Sequence, residues 1–281
     1  MKVFDSENIR NIAMVGHGDS GKTSLVSAML YSAGAVNRLG RVEEGNTVTD
    51  YDEDEIQRGI TINTALARCE WNNTKINFLD TPGYRAFILD AKGAMIAVET
   101  ALVVVDAVAG VEVQTEEVWS YAEEFKIPRV VVINKLDRER ASFSRSLESL
   151  HSVFGRTVVP IALPIGEEKS FTGIIDLVRN RAFVYEQDGS GKFKETEVPA
   201  EMKDRAEELR SQLIEMVAES DDSLMEKFFE NGTLSDEELL SGLRMSLRNR
   251  AISPVVCTSA TLNIGVKQLL DWIHGLFPTP L

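Results

Sequence analysis

Eight consecutive residues constrain this chain more than any other part of it. Gly16-His17-Gly18-Asp19-Ser20-Gly21-Lys22-Thr23 fits the pattern G-x-x-x-x-G-K-[ST]. An apolar run, Asn11–Val15, precedes it and reads as a buried strand. The stretch that follows, Ser24–Leu30, reads as a helix. A glycine-rich turn between strand and helix lets backbone N–H groups converge on phosphate oxygens, with the helix N-terminus adding a favourable partial charge. In that arrangement Lys22 is expected to reach the β- and γ-phosphates, and the Thr23 hydroxyl to ligate Mg²⁺. His17, Gly18, Asp19, Ser20, Gly21 and Ser24 complete the expected phosphate cradle.

The rest of the chain alternates apolar strand-like runs with helical stretches. The runs Ala101–Asp106 and Arg129–Ile133 are nearly continuous in apolar residues, as parallel strands covered on both faces are. Ala65–Trp71 and Ile76–Leu79, around the turn-like Asn72-Asn73-Thr74, read as an antiparallel hairpin. Helices are expected over 85–99, 114–125 and 141–154. The segment 34–61 shows no periodicity, carries the acidic run Asp50–Glu55 and reads as a long functional loop. At Val158 the texture changes to three strands (Val158–Leu163, Phe171–Val178, Arg181–Tyr185) and then three helices (199–219, 221–230, 236–248), the last with a capping box from Ser235 to Glu238. A strand at 252–257 and a helix at 264–277 resume the first pattern. The expected fold is therefore α/β, with a phosphate-binding loop and a mostly parallel sheet flanked by helices. Residues 1–157 and 252–281 would form the nucleotide-binding domain, and 158–251 an α+β insert.

Four further motifs fall at strand ends, where open α/β sheets bind ligands. Asp80-Thr81-Pro82-Gly83 places a carboxylate for Mg²⁺, held through water, and a glycine N–H for the γ-phosphate. Asn134-Lys135-Leu136-Asp137 suits guanine: the Asp137 carboxylate accepts from the base N1–H and exocyclic amine, and adenine lacks that amine. Asn134 would bridge base and loop, and the Lys135 stem would lie over the ring. The backbone of Thr258-Ser259-Ala260 would offer N–H groups to the guanine O6. Arg58-Gly59-Ile60-Thr61 would be a mobile loop whose Thr61 joins the Mg²⁺ shell when a γ-phosphate is present. Together these predict GTP/GDP and Mg²⁺ as ligands and disfavour an ATP-using enzyme.

Composition narrows the setting. Of 281 residues, 43% are hydrophobic and 26% charged, with a net charge of −14, so nucleic acid is not expected to be wrapped by the surface at large. No apolar run reaches the roughly 18 residues of a membrane span, and the first residues carry no apolar signal region. Two cysteines, Cys69 and Cys257, both in expected strands, read as reduced core residues of a cytosolic protein.

With these residues in view, the sequence resembles the GTP-binding domain of elongation factor G over essentially its whole length. His17–Thr23, Arg58–Ile62, Asp80–Gly83, Ala109–Glu116 and Asn134–Arg138 carry the resemblance. It implies a P-loop GTPase fold and a ribosome-stimulated GTPase in the cytoplasm, with ribosomal RNA and the stalk protein as partners; a monomer with no membrane association is expected. It also implies that the insert corresponds to the G-prime subdomain and that the chain is a piece of a longer protein. Asp19 matches an aspartate associated in that family with a monovalent cation. Lys22, Thr61, Gly83 and residue 84 would serve catalysis. Two positions depart from the family pattern: Tyr84 stands where His is usual, and Gly18 where Val or Ile is usual. A phenol with a pKa near 10 cannot carry the charge of an imidazolium. The departures keep open a GTP-gated ribosome-binding module with weakened hydrolysis, and a parent of the ribosomal-protection or release-factor type.

Overall fold

The computed structural model describes residues 2–281. β1 (Ile9–Val15) runs into the glycine-rich turn and α1 (Lys22–Ser32). α2 (Glu53–Arg58) lies inside the segment expected to be irregular, and capping explains it: the Asp52 carboxylate accepts from the Asp54 N–H, while Glu55 accepts from the Asp52 N–H. β2 (Ala65–Trp71) and β3 (Thr74–Asp80) form the hairpin. Its turn is two residues long, with Asn72 and Asn73 both in the left-handed region (φ 46° and 60°) that a tight hairpin turn demands. The helix expected over 85–99 is shorter, a 3-10 turn at Arg85–Phe87 followed by α3 (Ile88–Met95). Next come β4 (Thr100–Asp106), α4 (Val113–Glu124), β5 (Arg129–Asn134) and α5 (Phe143–Phe154).

The run 158–163 was expected to be one strand of the insert. It is two strands in two sheets: β6 (Val158–Pro160) joins the large sheet beside the last strand, and β7 (Ala162–Ile165) opens a second. The chain breaks at Ile161, whose N–H donates to Val255 and whose carbonyl accepts from Leu177. β8 (Gly173–Asp176), β9 (Arg181–Tyr185) and β10 (Phe193–Thr196) complete the antiparallel second sheet. β10 was not foreseen; it is a short, mostly exposed edge without an apolar alternation. α6 (Lys203–Ala218), α7 (Asp222–Asn231) and α8 (Asp236–Arg248) follow, α8 with the expected Ser235–Glu238 box. β11 (Ser253–Cys257) and α9 (Val266–Leu276) return to the large sheet.

That sheet has the order β2-β3-β1-β4-β5-β11-β6, parallel except for β2. Its central strands are buried throughout, with Val103, Val104, Val131 and Val132 fully covered. At roughly 1.5–3 kcal/mol per buried branched side chain, such strands fix the sheet on which the loops stand. Register then aligns the strand ends: Met14 lies opposite Asp80, and Asp106 opposite Asn134. The loops after β1, β3, β4, β5 and β11 therefore leave from one edge. Cys69 and Cys257 are buried and unpaired. Among the described residues no helix is long and apolar enough to cross a membrane.

Candidate functional site

The glycines of the first loop are required by space. A Cβ on Gly16, which has φ 140°, would lie 2.3 Å from the Val104 carbonyl oxygen; one on Gly21 (φ 92°) would lie 2.5 Å from Asn134 Nδ2. The loop wraps its own lysine. Lys22 is 5% exposed, and its Nζ donates to the carbonyls of His17 (2.7 Å) and Gly16 (3.2 Å). Burial lowers its pKa from 10.5 to about 8, although Asp80 and Asp19 oppose the shift. The ammonium is thus mostly charged at neutral pH and poor in partners of opposite sign, as a phosphate-binding cation should be. His17 contributes through its carbonyl, which also accepts from Ser20 Oγ. Its ring turns to Glu112, with Nε2 3.4 Å from Oε1, rather than into the cleft.

Beside Lys22 lies a cluster of hard oxygens. The hydroxyls of Thr23 and Thr61 are 3.0 Å apart, and Thr61 donates to Asp50 Oδ1 at 2.8 Å. Thr49 Oγ1 donates to Asp80 Oδ2 at 2.6 Å, while Asp80 Oδ1 is buried without a partner. Burial raises the Asp80 carboxyl to about 6 and raises Asp50 also. An orphaned buried carboxylate oxygen beside two hydroxyls matches the oxygen chemistry that Mg²⁺ prefers. No group of three or more His, Cys, Asp or Glu side chains able to hold a metal occurs among the described residues. A Mg²⁺ here would therefore take hydroxyl, phosphate and water oxygens. Asp50 and Thr49 escaped the sequence reading, since no local pattern ties them to Asp80.

Thr61, expected to lie on a loop that responds to the γ-phosphate, is hydrogen-bonded to Asp50 in this structure. Glu55, 2% exposed, accepts from the N–H groups of Ile62 (2.9 Å) and Asn63 (3.0 Å), so the short α2 clamps the backbone just past Thr61. From the end of β3, Gly83 presses on the first loop. A Cβ there would lie 2.3 Å from Lys22 Nζ and 2.7 Å from Gly18 N. Tyr84 OH donates to Asp19 Oδ2 at 2.7 Å.

At the other end, Asn134 joins three loops. It donates from Nδ2 to the Ser20 carbonyl (3.1 Å), and its Oδ1 accepts from Thr258 Oγ1 and Ala260 N, both at 3.1 Å. This corrects one expectation. The N–H groups of residues 258–260 are committed within the fold, to Ile133 O, Ile264 O and Asn134 Oδ1 respectively, because the buried Asn134 amide oxygen needs donors. Lys135 (φ 64°) pairs with Asp106 Oδ2 at 2.9 Å and also donates to the Asp19 carbonyl. Asp137 Oδ1 is buried with no partner. We expect Asn134→Ala, which orphans three buried polar groups, to cost about 2–4 kcal/mol in urea unfolding of the nucleotide-free protein; a loss under about 1 kcal/mol would contradict this joint.

Two adjoining cavities follow this line of residues. One, of about 330 Å³, is walled by Lys22, Thr23, Thr61, Gly83 and Tyr84; the other, of about 290 Å³, by Asn134, Lys135, Asp137 and Ala260. Gly21, Ser24 and Lys135 line both. A larger groove of about 1170 Å³ runs between α5 and α6, but no buried, unpartnered polar atom faces it.

The family model described as Elongation factor Tu GTP binding domain matches residues 7–279. A crystal structure of a protein from Thermus thermophilus is similar at 38% identity and a TM-score of 0.91, over 98% of this chain and 41% of that one. The chain thus spans about two fifths of that protein's length.

Proposed function

The chain belongs to the elongation factor Tu GTP-binding domain family, and from that premise we propose that it works as the GTPase of an elongation-factor-G-like protein. In this reading it binds GTP and GDP with Mg²⁺, hydrolyses GTP slowly alone, and is stimulated by the ribosome in the cytoplasm to drive a step of protein synthesis. One observation carries the nucleotide assignment: two carboxylate oxygens are buried and unpartnered, Asp80 Oδ1, whose sister oxygen accepts from Thr49, and Asp137 Oδ1, whose side chain lines the cavity beside Asn134 and Lys135. Burying such groups is costly without compensation. Asp176 Oδ2, the third such oxygen, has Arg179 3.8 Å away, whereas Asp80 lies by the threonine hydroxyls and Asp137 opens on a cavity, where a cation and a base donor would serve. Asp137 takes the base, and Lys22 and the first-loop backbone take the phosphates. Thr23, Thr61 and Asp80 would hold Mg²⁺, with Asp50 orienting Thr61; the ion would supply charge neutralisation on the phosphate oxygens. Little covalent work falls to the protein, and positioning with electrostatics is its contribution. The second sheet with α6–α8 is read as the inserted subdomain. By the same resemblance, ribosomal RNA and the stalk protein are the partners, the chain acting as a monomer, and a monovalent cation would sit near Asp19.

A second reading, a GTP-gated ribosome binder, is favoured by Tyr84. Its hydrogen bond to Asp19 pushes the phenol up to about 12, so it is neither a base nor a cation at neutral pH. GTP turnover by the full-length protein, with and without ribosomes, separates the two. Stimulation of at least about 10³-fold, on the order of what supplied transition-state charge stabilisation gives, is expected. Tight GTP binding with unchanged turnover would move the assignment to the binder.

A further inference from the structure

Tyr84 and Gly18 depart from the family pattern together, and the structure gives a geometric reason. Gly18 does not have the left-handed backbone that demands glycine; what it lacks is room. A Cβ there would lie 3.0 Å from Tyr84 Cζ and 3.1 and 3.2 Å from the two Cε atoms, so tight that the ring would have to give by a few tenths of an ångström, and more for a larger side chain. The outer half of the phenol ring fills the place of a side chain at residue 18. Past the ring, the hydroxyl reaches Asp19 Oδ2 at 2.7 Å. Asp19 is itself in the left-handed region (φ 61°), which aims its carboxylate, and its carbonyl accepts from Lys135, held in turn by Asp106. Asp19 is therefore gripped from the phosphate side by Tyr84 and from the base side by Lys135.

We infer that Tyr84, Gly18 and Asp19 form a latch across the phosphate end of the cleft, which holds the segment after β3 onto the first loop and slows nucleotide release. Tyr84 is then a positioning residue: it acts through Asp19, and Gly18 exists to admit its ring. The inference rests on the guanine-nucleotide reading of the same cleft.

The test is the dissociation rate of mant-GDP in Mg²⁺, chased with excess GDP, from the wild type and a set of variants. The bond has a charged acceptor but is solvent-accessible, so Tyr84→Phe is expected to speed release about three- to tenfold. Asp19→Ala is expected to do the same, and the double variant to release no faster than the faster single. Asp19→Asn keeps an oxygen acceptor for the phenol and should restore most of the slow release, which a purely structural role for Asp19 would not predict. Gly18→Val should displace the ring and match Tyr84→Phe, with no further effect when the two are combined. Multiplying effects in either double variant, or release from Tyr84→Phe at the wild-type rate, would overturn the latch and leave the guanine reading standing. Failure of the wild type to bind mant-GDP would overturn both.

Discussion

Asp137→Asn is expected to weaken GDP binding at least about a hundredfold and to make xanthosine diphosphate the preferred ligand. The carboxylate of Asp137 has one oxygen buried and without a partner, in a cavity also lined by Asn134 and Lys135. An ionised carboxylate is a pure acceptor, and guanine presents two donors, N1–H and the exocyclic amine. Asparagine keeps one acceptor and puts an NH₂ group where the second was, so it meets the guanine amine donor to donor. Xanthine carries a carbonyl at that place and accepts. The protein side changes by a single atom, and no packing is lost. Competition of mant-GDP by GDP, xanthosine diphosphate and ADP reads the change directly. A variant that still prefers GDP would sink the base assignment.

What the sequence made legible was whatever a short pattern encodes. The P-loop, the buried strands around Val103 and Val131, and the Asn134–Asp137 motif are local, and each is where its pattern puts it. The parts that were not legible depend on distant partners. Asp50 and Thr49 belong to the oxygen cluster only because the segment before α2 folds back on β3, some thirty residues away; nothing nearby marks them apart from the acidic run. The helix α2 had a usable signal, Asp52 followed three residues on by Glu55, but six residues hold too few apolar positions for periodicity to register. The run 158–163 looks continuous because both sheets want buried residues, and the switch between them at Ile161 leaves no mark in hydropathy. The amides of 258–260 were assigned to the base because a motif gives residues and not the directions of their N–H groups. Asn134 already claims the last of them.

Lys22→Met should move binding and stability in opposite directions. In the nucleotide-free protein the ammonium is buried, donates only to the carbonyls of Gly16 and His17, and has its pKa lowered from 10.5 to about 8 by burial. That displacement corresponds to roughly 3 kcal/mol of cost at pH 7, as an upper bound. The two lost hydrogen bonds return about 1 kcal/mol each, leaving a net gain on the order of 1 kcal/mol for methionine, which fills a similar volume without charge. The sign with pH follows from the same shift. Below pH 8 both folded and unfolded chains hold the proton, and the cost is constant. Between about 8 and 10.5 the unfolded chain binds a proton that the folded chain does not, so wild-type stability rises with pH. Lys22→Met should lose that rise. Binding goes the other way: two charge-assisted bonds to phosphate disappear, and GDP affinity should fall by about 10²- to 10³-fold. Urea unfolding from about pH 7 to 10, with mant-GDP titration at about pH 7, measures both. A variant less stable than the wild type at neutral pH would mean that the lysine's bonds to the loop outweigh its burial. One that keeps GDP affinity would mean that the phosphates lie elsewhere.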